Sequence, residues 1–305
     1  MSSPVDAIAY PKPLRIAVTG CAGSIGMNVW RRLVEAGHEV VGVDQRVPAE
    51  RPGRFVQANL VDRSACFPAF DGCDVIVHLG EIPNANNAPS PEACFSINTA
   101  IHASVLQSAV DLKVSRVVYA STCQVYGLWG MWRGPMPANV WPSRLPFDEI
   151  EPVKPINAYA ASKMANETYS SFVSRRHGLG VSAFRFPVVV SMGAKHLRGW
   201  HETSGKDFAE GYWTYLLMDD AVRAIECAIA RGRPGFEVYN ACARRIMGTI
   251  PLRDRIAAHY PGSPPLPADW PELAAPLDCR KALEHLGWEA KLSAENLIQT
   301  DSAGK

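Results

Sequence analysis

Five short apolar runs, at 15–19, 39–44, 54–58, 74–79 and 116–120, punctuate the first 120 residues. Each is continuous and rich in β-branched residues instead of alternating apolar with polar, the pattern of strands buried on both faces of a parallel sheet. Helical patterns over 25–36 and 91–111 separate some of them. Strands and helices in alternation predict a doubly wound α/β fold with right-handed crossovers. The rhythm resumes with a helix over 157–177, a strand at 181–186, a helix over 219–231 and a strand at 236–241. Further helices are expected at 252–260 and 280–286, and residues 191–211 read as a polar loop. At 305 residues the chain suits two domains or one large α/β unit. The division expected is a larger α/β part over 1–190, completed by the strand near 236–241, and a smaller part that comprises 191–235 and 242–305.

Composition narrows the function classes. Hydrophobic residues make up 47% and charged residues 20%, an ordinary globular balance that supports a sizeable core. Lys plus Arg (31) nearly cancel Asp plus Glu (30), and no long basic run occurs, which argues against nucleic acid or a membrane surface as partner. No run approaches the ~18 apolar residues of a membrane span, and residues 1–13 lack a signal-peptide pattern. The eight cysteines show neither C-x-x-C spacing nor a flanking histidine pattern, so no metal site is expected and reduced thiols in a cytoplasm are.

Where the first strand meets the first helix stands Thr19-Gly20-Cys21-Ala22-Gly23-Ser24-Ile25-Gly26. Glycines there permit a tight turn, let backbone N–H groups reach a pyrophosphate, and let helix and strand pack closely. Asp44 follows at the end of the second strand, where a carboxylate accepts both hydroxyls of an adenosine ribose and repels a 2′-phosphate. NAD is therefore the expected cofactor, with NADP left open by Arg46 two residues on. The alternative is a helix-packing glycine loop with a chance acid.

The spacing Gly-x-x-Gly-x-x-Gly resembles the short-chain dehydrogenase/reductase superfamily, and its form is similar to the extended branch, the NAD-dependent epimerase/dehydratase family. Val75-Ile76-Val77-His78-Leu79-Gly80 resembles that family's fourth-strand motif beneath the cofactor, Asn59-Leu60 its adenine-side pair, and Asn98 its marked helix asparagine. The resemblance covers roughly 14–241 and implies a Rossmann domain. Cofactor contacts are then expected from Gly20, Gly23, Ser24, Ile25 and Gly26 in the loop, and from Asp44, Asn59 and Leu60. Leu79, Gly80, Asn98 and Pro187 complete that set beside Tyr159 and Lys163. A homodimer is the expected assembly.

Tyr159 and Lys163 stand at i and i+4 of a helical pattern, so phenol and ammonium share a face. A free phenol titrates near pH 10, and a neighbouring ammonium favours its ionised form. Ala120-Ser121-Thr122-Cys123-Gln124-Val125-Tyr126-Gly127 follows the fifth strand and resembles the family stretch whose second hydroxyl residue touches the reacting oxygen. That places this role on Thr122, with Tyr159 as acid/base and Lys163 also holding the nicotinamide ribose. Cys123 has no histidine base in its motif and reads as a buried thiol. His78 reads as a core residue. Glu81, where the family usually has a small residue, either faces the substrate or is a solvated strand-end acid.

The segment between Arg185 and Asp220 is only about 34 residues, short for a member that grips a nucleotide diphosphate. It is similar to uronate-dehydrogenase-like members acting on small free sugars. Residues 128–156 carry six prolines and three tryptophans. Trp129, Trp132 and Trp141 are expected to line a lid, with Lys195, His196, Arg198 and His201 on a second loop. The alternative is that the tryptophans staple their loop to its own domain or to a second subunit. The expected substrate is a small, non-nucleotide secondary alcohol or carbonyl compound, sugar-like or natural-product-like. Net dehydrogenation, epimerisation or dehydration through transient oxidation, and cofactor sensing without turnover remain alternatives.

Overall fold

The computed structural model describes residues 8–127, 141–191, 194–202 and 211–303. Its centre is a parallel sheet of β1 (Arg15–Thr19), β2 (Glu39–Asp44), β3 (Arg54–Gln57), β4 (Val75–His78), β5 (Arg116–Thr122), β6 (Gly180–Phe186) and a last strand, β9 (Phe236–Asn240). The spatial order is β3-β2-β1-β4-β5-β6-β9. The order therefore reverses between β1 and β4, and beyond that pair's carboxyl ends lies the crevice where open α/β sheets bind ligands. Two short strands, β7 (Val188–Val190) and β8 (Tyr215–Leu217), pair in parallel outside the main sheet.

Helices cover both faces. On one, α1 (Ser24–Glu35) packs against α6 (Met218–Arg231), burying Trp30, Leu33, Ile225 and Trp288 with Val18 and Val77 of the sheet. On the other, α3 (Pro91–Asp111) and α4 (Ala158–His177) pack together over Ala17, Ile76 and Val117. Successive strand residues thus feed opposite layers, the reason the strands read as unbroken apolar runs. The short α2 (Phe67–Phe70) closes an edge of the second layer. Local signals set the helix ends. Ser90 Oγ accepts from Ala93 N to start α3, Asn157 Oδ1 accepts from Ala160 N to start α4, and Gly178 (φ +73°) ends α4.

The sequence reading differs from the structure in three places. Residues 191–211 hold a helix, α5 (Ala194–Glu202), packed against α9 (Ala294–Ala303) instead of forming a polar loop. Strands β7 and β8 are three residues each, too short for any periodicity to reveal. Helix α6 belongs to the layer over the sheet, although the expected division put 218–231 in the smaller part. The smaller part, with α7 (Leu252–His259), has its own core of Tyr212, Trp213, Leu252 and Tyr260 beside Phe147. The last sheet-covering helix, α8 (Arg280–Leu286), returns to the first layer. Among the described residues no helix is long and apolar enough to cross a membrane.

Gly42 in β2 shows how tightly the first layer is packed: a Cβ there would lie 2.7 Å from the Trp30 ring. Trp30 is wholly buried and has no room to retreat. Gly42→Ala should therefore destabilise the protein by about 1–3 kcal/mol through overpacking, read from the urea midpoint. A loss below about 0.5 kcal/mol would mean that the indole repacks freely.

Candidate active site

Three backbone elements meet at the crevice. Gly20 (φ +68°) lies so close to the end of β4 that a Cβ would come within 2.4 Å of the Leu79 carbonyl oxygen. At Gly26 a Cβ would lie 2.1 Å from the Gly20 oxygen. Both positions demand glycine for packing. A Cβ on Gly23 would meet only the Gly20 oxygen, at 3.1 Å. Gly23 caps α1 without any side-chain hydrogen bond, leaving Ser24 exposed and Ile25 half-buried at the helix start. An uncapped helix N-terminus of this kind is a cradle for a phosphate group. Thr19 joins the two strand ends: its hydroxyl oxygen accepts from Leu79 N and Gly80 N, both at 3.1 Å.

Asp44 ends β2 beside this loop. Its carboxylate accepts from Ala22 N (3.0 Å) and Arg46 N (2.9 Å), one bond per oxygen, which leaves lone pairs for two further donors. Arg46 Nε lies 3.9 Å from the same carboxylate. Leu60 is buried against Gly80, Asn59 is exposed, and Pro187 is buried just after β6. The cradle, the ribose-type acid and the floor of Leu79 and Gly80 therefore fit a dinucleotide.

Across the crevice, β5 delivers Thr122 and α4 delivers Tyr159 and Lys163. Thr122 caps a short helical turn, its Oγ1 accepting from Gln124 N at 3.2 Å, and its hydroxyl lies near enough to the Tyr159 phenol to favour the ionised form. Lys163 Nζ stands 5.6 Å from the centre of the Tyr159 ring and donates to the Ala120 carbonyl oxygen at 2.6 Å. The helical spacing read from the sequence puts phenol and ammonium on one face of α4, beside the end of β5 that carries Thr122.

The model of the NAD dependent epimerase/dehydratase family matches residues 16–242. The chain belongs to that family. It is an enzyme of the short-chain dehydrogenase/reductase type, and its cofactor is NAD. A probable dTDP-glucose 4,6-dehydratase of Sinorhizobium fredii is 27% identical over 330 residues, covering 91% of this chain and 89% of that protein. An L-arabinose 1-dehydrogenase (NAD(P)(+)) of Haloferax volcanii is 30% identical over 221 residues, covering 72% and 84%. The UDP-glucose 4-epimerase of Brucella ovis, solved with NAD, shares the fold at a TM-score of 0.70 and 20% identity, covering 94% of this chain and 97% of that one.

The electrostatics of this family member depart from the expectation. Burial pushes the Tyr159 phenol up; the Lys163 ammonium pulls it down, but Glu81 pushes it up again, and the net direction is upward. Glu81 is neither solvated nor turned to the open crevice. Its side chain is 4% exposed, its Oε2 lies 2.9 Å from Lys163 Nζ, and Asn166 Nδ2 donates to both oxygens at 3.1 and 3.2 Å. Burial alone would raise the carboxyl, yet Lys163 and the two nearby histidines hold it well below the usual range. Burial likewise works against the Lys163 ammonium, but Glu81 keeps it above its ordinary value.

His78 is the core residue that its strand implied. Thr19 Oγ1 accepts from two backbone amides, so its proton goes to His78 Nδ1 at 2.8 Å. His78 Nε2–H then donates to Glu81 Oε1 at 3.0 Å, a fixed tautomer. His102, on α3, has Nδ1 3.4 Å from the same oxygen and is pushed down to about 4 by burial, so it is neutral at pH 7. Two imidazoles and a carboxylate within 4.8 Å suggest a cation site, but the carboxylate already has the Lys163 ammonium as its counter-ion. Sequence reasoning missed His102 and Asn166; the i+3 spacing from Lys163 to Asn166 was the available signal.

The other residues singled out in the sequence have the following surroundings. Asn98 is wholly buried, and its amide bonds both the N–H (2.8 Å) and the carbonyl (3.1 Å) of Ile82, so it fixes the loop carrying Glu81. Cys123 is a buried thiol that donates to the Arg185 carbonyl oxygen, and burial raises its pKa well above the ordinary value. Trp141 packs edge-on to Tyr260, 5.0 Å between ring centres, which is the stapling alternative. Arg198 donates to the Ile298 carbonyl oxygen at 3.5 Å, toward α9. His201 Nδ1 accepts from Gly248 N. Trp129 and Trp132, and the side chains of Lys195 and His196, lie outside the described residues.

Asp44→Ala should weaken NAD and narrow its advantage over NADP, because a ribose acceptor and a charge repelling a 2′-phosphate are both lost. Fluorescence titration with each cofactor checks this. Tighter NADP than NAD binding by the unsubstituted protein would transfer the deciding role to Arg46.

Proposed function

We propose that this enzyme oxidises a secondary alcohol, or reduces the corresponding carbonyl, on a small sugar-like substrate without a nucleotide, using Tyr159 as the acid/base. The observation that carries the reading is the meeting of Thr122, Tyr159 and Lys163 beside the glycine cradle. As phenolate the Tyr159 oxygen takes the substrate hydroxyl proton and becomes phenol; in the reverse direction the phenol gives that proton to a carbonyl oxygen. The Thr122 hydroxyl binds the same oxygen and stabilises the charge that develops there. Lys163, fixed under Ala120, offsets the phenolate's charge. NAD, when bound, supplies the hydride acceptor or donor. Ser24, the α1 N-terminus and Asp44 would hold its pyrophosphate and ribose, and Lys163 its nicotinamide ribose.

The short segment before Asp220 and the similarity to an arabinose dehydrogenase support a free-sugar substrate. Epimerisation by transient oxidation needs the same three residues and is the second reading, favoured by the shared fold of the epimerases. Dehydration is less well supported. Expelling a hydroxyl needs another acid, and the two residues that follow Thr122 are the buried Cys123 thiol and Gln124, whose Oε1 accepts from Asn157. A homodimer is supported by the exposed Phe95 and Phe172 on neighbouring α3 and α4, and a cytoplasmic location by the free thiols.

A panel of L-arabinose, D-galactose, D-glucuronate, UDP-glucose and dTDP-glucose with NAD, followed by NADH absorbance, tests the substrate class. Free sugars should give NADH. Turnover confined to the nucleotide sugars, with NAD retained through gel filtration, would favour the epimerase instead. Tyr159→Phe should lower turnover about 10²–10⁴-fold with folding and NAD binding nearly intact. Lys163→Ala should reduce both turnover and NAD affinity. A Phe variant with near-unchanged rates would remove Tyr159 from the mechanism.

A further inference from the structure

Glu81 is tied down from three directions. His78 on β4, Asn166 and Lys163 on α4, and His102 on α3 all face its carboxylate, while Asn98 fixes the following residue through both backbone groups. Both oxygens are engaged, so the carboxylate can neither swing out to solvent nor rotate. It stands where the resembling family usually carries a small residue. A buried ion pair is a weak source of stability, since desolvation offsets most of its Coulomb attraction. The arrangement calls for an account in terms of what the ammonium does.

We infer that Glu81 is a positioning residue for the proton-transfer pair, its carboxylate clamping the Lys163 ammonium beneath the Ala120 carbonyl and opposing the ammonium's field at the Tyr159 phenol. This rests on the acid/base reading of Tyr159. The groups that act on the phenol's charge are Lys163 from its own helix, Glu81 after β4, Thr122 from β5 and Cys94 from α3. Of these, Glu81 is the group held ionised as an anion near neutrality, because burial raises the Cys94 thiol while Lys163 and the histidines hold the Glu81 carboxyl well below its ordinary value. The clamp leaves one of the three Nζ protons outside the Ala120 and Glu81 contacts, available to a cofactor hydroxyl. It also makes lysine and glutamate together a neutral unit, so the phenol ionises at higher pH than beside a lone ammonium.

The test is a tyrosinate ultraviolet titration with saturating NAD, taken as the difference between each protein and its Tyr159→Phe counterpart. Glu81→Gln keeps the side-chain shape and removes the charge. Its Tyr159 transition should fall by on the order of one pH unit, and Glu81→Asp should stay on the unsubstituted protein's side. A Glu81→Gln transition at the unchanged pH, or higher, overturns the inference while leaving Tyr159 as the acid/base. Absence of any Tyr159-dependent transition in both proteins overturns the acid/base reading itself, and this inference with it. If Glu81→Gln does not fold, Lys163→Met is compared with Lys163→Met/Glu81→Gln, which leaves no buried charge unpaired. The double variant's transition should lie below the single's, and equal values overturn the inference.

Discussion

The approach of the β1 and β4 ends, with no side chain between Gly20 and the Leu79 carbonyl, is the contact on which the site depends. A Cβ there would force the strand ends apart and move the start of α1 away from the crevice. Thr19 completes the contact, since its single hydroxyl receives the Leu79 and Gly80 amides and passes its proton to His78. The glycine loop is thereby connected to His78, and His78 to Glu81 and Lys163. The glycine loop and the Lys163 ammonium are two ends of one hydrogen-bonded chain.

That chain carries a cost. Burying both a lysine and a glutamate forfeits hydration that their mutual attraction only partly restores. Every additional donor on Glu81 reduces the deficit, which explains why Asn166 bonds both oxygens and why His78 is held in one tautomer. It also explains Asn98. A buried amide that bonds both backbone groups of Ile82 keeps the acid-bearing loop from relaxing toward water, where Glu81 would prefer to be.

Much of this was legible in the sequence, for reasons that differ by element. The central strands β1, β2, β4 and β5 announced themselves because burial on both faces leaves few polar residues to interrupt them. The Tyr159–Lys163 pair was legible because helical geometry makes i and i+4 neighbours without tertiary information. Strands β7 and β8 were not, being shorter than any period, and α5 was read as loop because its polar face hid the buried Leu197. Glu81 was misread for a deeper reason. Whether an acid is buried depends on its partners, and those come from positions 78, 102, 163 and 166, which only the fold brings together. The direction of the phenol's shift depends on the sum of burial, ammonium and carboxylate, so the nearest charge alone gave the wrong sign.

The last residues of β5 show how a strand's period of two organises such a site. The Ala120 carbonyl receives Lys163, the Ser121 hydroxyl donates to Glu167 at 2.6 Å, and Thr122 meets the phenol. Glu167 is in turn gripped by Arg185 through two bonds of 3.0 and 2.7 Å, and Arg185 reaches the Tyr126 hydroxyl at 2.8 Å. Ser121 points away from its neighbour because side chains alternate along a strand. One residue therefore anchors the strand end in a buried ion pair while the next turns its hydroxyl to the other side, toward Tyr159. Orientation fixed before a substrate arrives need not be gained during the reaction, and that is where a hydrogen-bond donor in a dry pocket gives most of its stabilisation.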